Sequence, residues 1–267
     1  MEKIIETYKN QLHQTFGKRA ENGKCVFCGK DLNGGYCDCS ESALINRFYK
    51  RAWKKIHDIE AYTIVNETLE TIRKSYILPY VKTPRKFEGM TFDHYKVEND
   101  SQRGALNGVF DYYKNAVKYY LKGTNLILFG NYGTGKTMLM SILCRALAND
   151  YLLKSRFVNV VDFMNDIKDT FNNSEKTTAK TLESYRTAEI LFLDDIDKIK
   201  PSEYSKETIY SLVNYRTEQE LPTVVSANHS PEDLDLKYFD EAIVSRLADI
   251  ENSKIIQFLH KNKRLGG

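Results

Sequence analysis

Residues Gly130, Asn131, Tyr132, Gly133, Thr134, Gly135, Lys136 and Thr137 follow the pattern G-x-x-x-x-G-K-T, a loop whose chemistry is the cradling of phosphate. Its glycines let the backbone curl with N–H groups turned inward toward anionic oxygens. Lys136 is placed to reach the β and γ phosphates of ATP, and the Thr137 hydroxyl to ligate Mg2+. The helix that follows, TMLMSILCRALAND, starts at Thr137, and the expected nucleotide site, Gly130 to Met138, gains its positive end. A tight turn without nucleotide is the alternative. The context speaks against it, because an apolar strand, Leu126 to Phe129, precedes the loop and an apolar-periodic helix (Met138, Leu139, Ile142, Leu143, Ala146, Leu147) follows it.

A second set of reactive side chains lies downstream. In AEILFLDDID the apolar run Ile190 to Leu193 delivers Asp194 and Asp195 at its carboxyl end, where ligands bind in open α/β sheets. This is a Walker B pattern: Asp194 is expected to hold magnesium through water, and Asp195 to polarise the attacking water. The competing reading is two acids that merely cap the next helix. Farther on, the strand TVVSAN ends in Asn228, an amide placed to contact the γ-phosphate and align the water, and the late helix DEAIVSRLADI carries Arg246.

A third group has different chemistry. Cys25 and Cys28 form a C-x-x-C and Cys37 and Cys39 a C-x-C, so four of the five cysteines fall within fifteen residues. Two close pairs suit tetrahedral Zn2+, whose four thiolates leave no open position for catalysis and make the ion structural. A disulfide framework is the alternative, disfavoured in a reducing compartment. His13 and His57 read as surface imidazoles, and Cys144 as a small buried side chain.

The elements that must position these groups divide the chain. A short amphipathic helix is expected over residues 1 to 16, on the stripe Ile4, Ile5, Tyr8, Leu12 and Phe16. From Glu41 to Leu78 there is no Gly or Pro, and apolar residues recur at steps of three and four; this predicts a long helix or helical hairpin whose apolar seam invites self-association or a partner. Pro79 and Pro84 then bracket a break in periodicity. The expected organisation is a zinc-binding helical domain over 1–78, a linker over 79–90 and a nucleotide-binding domain over 91–267. In the last, RFVNVV reads as a second strand, followed by a helix from Asp162 to Phe171 and one through SKETIYSLVNYRTEQE.

With 267 residues and 42% hydrophobic composition the chain can build a sizeable core. The N-terminus MEKIIETYKN lacks a signal-peptide core, and no apolar run approaches the ~18 residues of a membrane span, so a cytoplasmic location without membrane contact is expected. The formal charge is +3, with 16 Lys/Arg against 11 Asp/Glu in residues 1–90. Four zinc-bound thiolates would shift that first part by about −2, leaving no strong nucleic-acid signature.

The succession Walker A, Walker B, an asparagine 34 residues after Asp194 and an arginine 18 residues beyond it resembles the order of AAA+ ATPases. More narrowly, TFDHY (Thr91 to Tyr95), GNYGTGKT, LFLDDID, VNYRTEQELPTVVSAN and IVSRLAD resemble the DnaC/DnaI-type loaders of bacterial replicative helicases and their phage counterparts, over about residues 90–250. The resemblance implies an α/β fold, a parallel sheet between helices without a helical lid. It also implies that Asn228 is a sensor I residue and that Arg246 acts on the neighbouring subunit of a ring or spiral homo-oligomer. The implied partners are a hexameric replicative helicase, bound through the N-terminal domain, and single-stranded DNA, bound by the ATPase domain, with Lys168 as a candidate contact. Two features depart from the AAA+ pattern: Asp195 stands where glutamate is common, which implies slow hydrolysis, and only some seventeen residues follow Ile250, too few for a lid or its sensor II arginine. An IstB-like transposition helper and a nucleotide-gated helicase inhibitor are the alternatives.

Overall fold

The computed structural model describes residues 20–21, 24–25, 77–151, 153–172, 177–249 and 251–259. The chain divides into two compact units, 1–76 and 77–267. In the first, β1 (Ala20–Glu21) pairs antiparallel with β2 (Lys24–Cys25), Ala20 opposite Cys25. Cys25 ends this ribbon; the other three expected zinc ligands, Cys28, Cys37 and Cys39, lie outside the described residues, as do the helices expected over 1–16 and 41–76.

The second unit contains helices α1 (Asp100–Lys114) and α2 (Ala116–Leu121), then β3 (Asn125–Gly130), α3 (Lys136–Asp150), β4 (Ser155–Asn159), α4 (Val160–Lys168) and α5 (Thr178–Arg186). It continues with β5 (Ile190–Asp194), α6 (Glu203–Glu218), β6 (Thr223–Ala227), α7 (Pro231–Lys237), α8 (Glu241–Leu247) and β7 (Ser253–Phe258). The five strands pair only in parallel, in the order β4-β5-β6-β3-β7. β5 and β6 are buried at every position, which is why their sequences are apolar runs with no alternation. Because β6 lies between β3 and β5, the tips of the phosphate-loop strand, the Asn228 strand and the Walker B strand stand side by side.

The structure shifts three sequence-based expectations. RFVNVV is not one strand: the Asn159 side chain accepts a hydrogen bond from Val161 N at 2.9 Å, so Asn159 caps α4, and Val160 and Val161 turn into the helix. The segment after Ile250 supplies an edge strand, β7, in register with β3. Finally, residues 79–90 fall inside the second compact unit and pack within it. Ile77 and Val81 are buried, Arg145 Nε donates to Thr83 Oγ1 at 2.7 Å, and Lys154 Nζ lies 3.8 Å from the Tyr80 ring centre. The prolines end helical periodicity, but they do not prevent this segment from packing. No helix among the described residues is long and apolar enough to cross a membrane.

Candidate functional site

At the end of β3 the chain makes two close approaches that only glycine allows. Gly130 has φ +138°, and a Cβ there would lie 2.2 Å from the Phe258 carbonyl oxygen on β7; Gly135 has φ +92°, and a Cβ would lie 2.8 Å from the Tyr95 ring. Gly135 caps α3, whose first residue, Lys136, is only 5% exposed. Its ammonium donates to the carbonyls of Gly130 (2.6 Å) and Asn131 (2.8 Å) and to Asn228 Oδ1 (3.1 Å). A buried ammonium with three oxygen acceptors at the mouth of a loop is arranged to exchange some of them for phosphate oxygens.

β5 carries Asp194 to the same rim. Thr137 Oγ1 donates to Asp194 Oδ1 at 3.1 Å and Ser226 Oγ donates to the same oxygen at 2.6 Å. The two expected magnesium ligands are thus adjacent, and their hard oxygens fit the ion. Burial pushes the Asp194 carboxyl up to about 6, and the neighbouring charge of Asp195 adds to this; the Ser226 and Thr137 hydrogen bonds and the Lys136 charge oppose it. A divalent cation here would restore the ionised form.

Asp195 takes left-handed backbone angles (φ 53°, ψ 50°), uncommon for a residue with a side chain, and its N–H donates to Ser226 Oγ at 2.8 Å. The turn starts a 3-10 segment, Ile196–Lys198, with Ile196 fully buried. Lys198 Nζ then reaches back to the phosphate loop, donating to the Tyr132 hydroxyl at 2.9 Å and lying 4.3 Å from its ring centre.

Two cavities flank this centre. One, of about 350 Å³, lies beside Gly133–Gly135 and is lined by Phe87, His94, Tyr95 and Met138, a size and character suited to a nucleobase. Tyr95 donates to the Thr134 carbonyl at 3.3 Å, and burial pushes its phenol up to about 12, which keeps it neutral. The other, of about 760 Å³, runs from Thr137, Asp194 and Asp195 out to Arg156, Asp162 and Tyr80.

Lys136 and Asn228 are thus joined by one hydrogen bond, and Thr137 and, through Ser226, Asp195 are joined to Asp194, with the Lys136 charge acting on Asp194. Arg246 and Lys168 lie outside these groups. Arg246 lies against α6, donating from Nε to Asn214 Oδ1 (2.9 Å) and from its terminal nitrogens to the Ala242 carbonyl (2.7 Å) and the Tyr210 hydroxyl (3.3 Å). Lys168 ends α4, exposed. Sequence reasoning passed over Ser226 and Asp197. Ser226 stands two residues before Asn228 in a strand, hence on the same side, and Asp197 is the third acid of LFLDDID; both signals were present in the motifs.

A phosphate loop facing strand-end acids on a parallel sheet of this order defines a P-loop ATPase domain of the AAA+ kind. The chain belongs to the family of the bacterial DnaA ATPase domain, which residues 85–250 match. It resembles the replicative helicase loaders. It is 26% identical to the loader DnaI of Bacillus subtilis (strain 168) over 87% of this chain and 72% of that protein. It is 28% identical to the loader DnaC of Escherichia coli (strain K12) over 60% of this chain and 63% of DnaC, so it spans less than two thirds of the latter. The crystal structure of the DnaC helicase loader shares the fold, with a TM-score of 0.58 at 22% identity over 66% of this chain and 99% of that one.

Proposed function

We propose that this protein is an ATP-dependent loader that binds the hexameric replicative helicase and helps to place it on single-stranded DNA. The observation that carries the reading is the extent of the match to DnaI: 87% of the chain is more than residues 77–267 can supply, so the likeness runs from the ATPase domain into the first unit. In this reading the first unit docks the helicase, with zinc held by Cys25, Cys28, Cys37 and Cys39. Its expected limit is residue 78, with 79–90 as the connection and 91–267 as the ATPase domain. Lys136 and the loop from Gly130 to Met138 bind ATP, Thr137 and Asp194 hold Mg2+, Asp195 and Asn228 orient the attacking water, and Lys168 is a DNA contact. Bound Mg2+ neutralises charge on the phosphates. Arg246 acts in trans, which requires it to leave its contacts on α6 when subunits assemble.

The test mixes the full chain with the purified replicative helicase of the same cell and measures turnover with and without single-stranded DNA. A stable complex with DNA-stimulated hydrolysis is expected, and metal analysis should return about one zinc per chain. Failure to bind the helicase would discard the loader in favour of a transposition helper. A complex with negligible turnover would favour a nucleotide-gated inhibitor.

A further inference from the structure

Asp197 is a carboxylate whose side chain is only 1% exposed, at the rim of the ATPase site. The left-handed turn at Asp195 and the 3-10 segment after it swing Asp197 away from the line of β5 and toward the tip of β6. There its oxygens are fully engaged. Oδ2 accepts from Asn228 N at 2.8 Å and contacts His229 Nδ1 at 2.7 Å, while Oδ1 accepts from Asn228 Nδ2 at 3.0 Å. A buried carboxylate requires such donors, and here two of the three come from Asn228.

The consequence is a fixed amide orientation. An amide side chain has one donor end and one acceptor end, and the surrounding network decides which end faces which way. With Nδ2 held by Asp197, Asn228 turns its oxygen to Lys136 Nζ at 3.1 Å. The reversed amide would set an oxygen against the Asp197 carboxylate and an NH2 group against the Lys136 ammonium, so both contacts enforce one orientation.

We infer that Asp197 is a positioning residue for the ATPase site, holding the Asn228 amide so that an acceptor faces Lys136 and the attacking water. This rests on the ATPase reading above. Asn228 then presents its oxygen as an acceptor for a water O–H and for the lysine ammonium. In turnover Asp197 acts through the Asn228 side chain, so its removal should slow hydrolysis no further once that side chain is gone.

The experiment uses the full chain with Asp197→Ala, Asn228→Ala and the double variant, measuring ATP turnover and, separately, affinity for a fluorescent ATP analogue. Asp197→Ala is expected to lower kcat by about 10- to 100-fold, the range for groups that orient active-site ligands, with analogue affinity within about threefold of wild type and the double variant no slower than Asn228→Ala. Additive losses, an unchanged kcat, or a loss confined to affinity would overturn the proposal. Should Asp197→Ala fail to fold in a thermal melt, Asp197→Asn replaces it; it keeps the shape and one acceptor, so it should lose less kcat, and an unchanged kcat would be fatal here too. If the wild-type chain binds ATP but does not turn it over, the ATPase reading fails and the positioning claim is decided by NMR. The Asn228 side-chain amide signal, identified by its absence in Asn228→Ala, should be exchange-protected in the wild type and lose that protection in the Asp197 variant. Protection that survives the substitution would refute the claim on its own.

Discussion

The two rims of the sheet each bury a cation, and the two cations differ in what surrounds them. At the C-terminal rim Lys136 is held by two carbonyls of its own loop and by the Asn228 amide, beside Thr137 and Asp194, which line an open cavity. At the opposite rim Arg216, 1% exposed, is enclosed. Its guanidinium donates to the carbonyls of Tyr185 (3.1 Å), Arg186 (2.9 Å), Ala188 (2.8 Å) and Pro222 (2.6 Å) and to Thr223 Oγ1 (3.0 Å). These acceptors come from the end of α5 and the approaches to β5 and β6, so one side chain satisfies last-turn carbonyls of a helix and ties two strand starts together. Burial pushes its pKa down to about 9, still above neutrality, so the charge remains. The lesson is that burial and hydrogen bonding alone do not mark a functional cation. What marks it is whether a ligand can reach its acceptors and take their place.

The largest effect that could break this contrast is expected at Arg216. Arg216→Ala would take a donor from four backbone carbonyls, of which that of Pro222 keeps the Leu191 N–H at 3.3 Å, and removing one partner from a buried charged network typically costs about 3–5 kcal/mol. For a domain of this size that is a fall of roughly 10 °C in the thermal midpoint, read by circular dichroism. A midpoint near wild type would mean that the enclosed rim is as replaceable as the open one.

Lys136→Ala tests the other half. Its unfolding free energy should stay within about 1 kcal/mol of wild type, while hydrolysis falls by about 100-fold or more, as for loss of a group that stabilises transition-state charge. Mixed with Arg246→Ala, it should regain partial turnover if an intact loop meets an intact arginine from the next subunit. No recovery with assembly preserved would remove Arg246 from the site.

The smallest effect is expected at the exposed contact of Lys198 with Tyr132 of the phosphate loop. Tyr132→Phe removes the acceptor of Lys198 Nζ, yet Tyr132 is 49% exposed, so the unfolding free energy should change by no more than about 0.5 kcal/mol. A shift comparable to that of Arg216→Ala would show that the phosphate loop depends on this contact for its shape.

The phosphate loop, the apolar strand ending in Asp194 and Asp195, and the strand ending in Asn228 were legible in the sequence by themselves. Each is local: glycine spacing, an uninterrupted apolar run, and a polar residue where that run stops are properties of consecutive residues, and they also imply a parallel sheet. Tertiary structure decided the rest, because the deciding contacts join residues distant in the chain. Arg216 sits in the helix through SKETIYSLVNYRTEQE with nothing in the spacing to single it out, and only its bonds to the chain entering β5 and β6 hold it inward. Residues 79–90 read as a connection because prolines interrupt periodicity, and only the contacts from Arg145 and Lys154 show that they pack. Asp197 is visible as one more acid after Walker B, but its meeting with Asn228 depends on β6 lying beside β5 and on the left-handed turn at Asp195. Spacing along a chain reveals which groups can reach a rim, whereas strand order and backbone turns determine which of them touch.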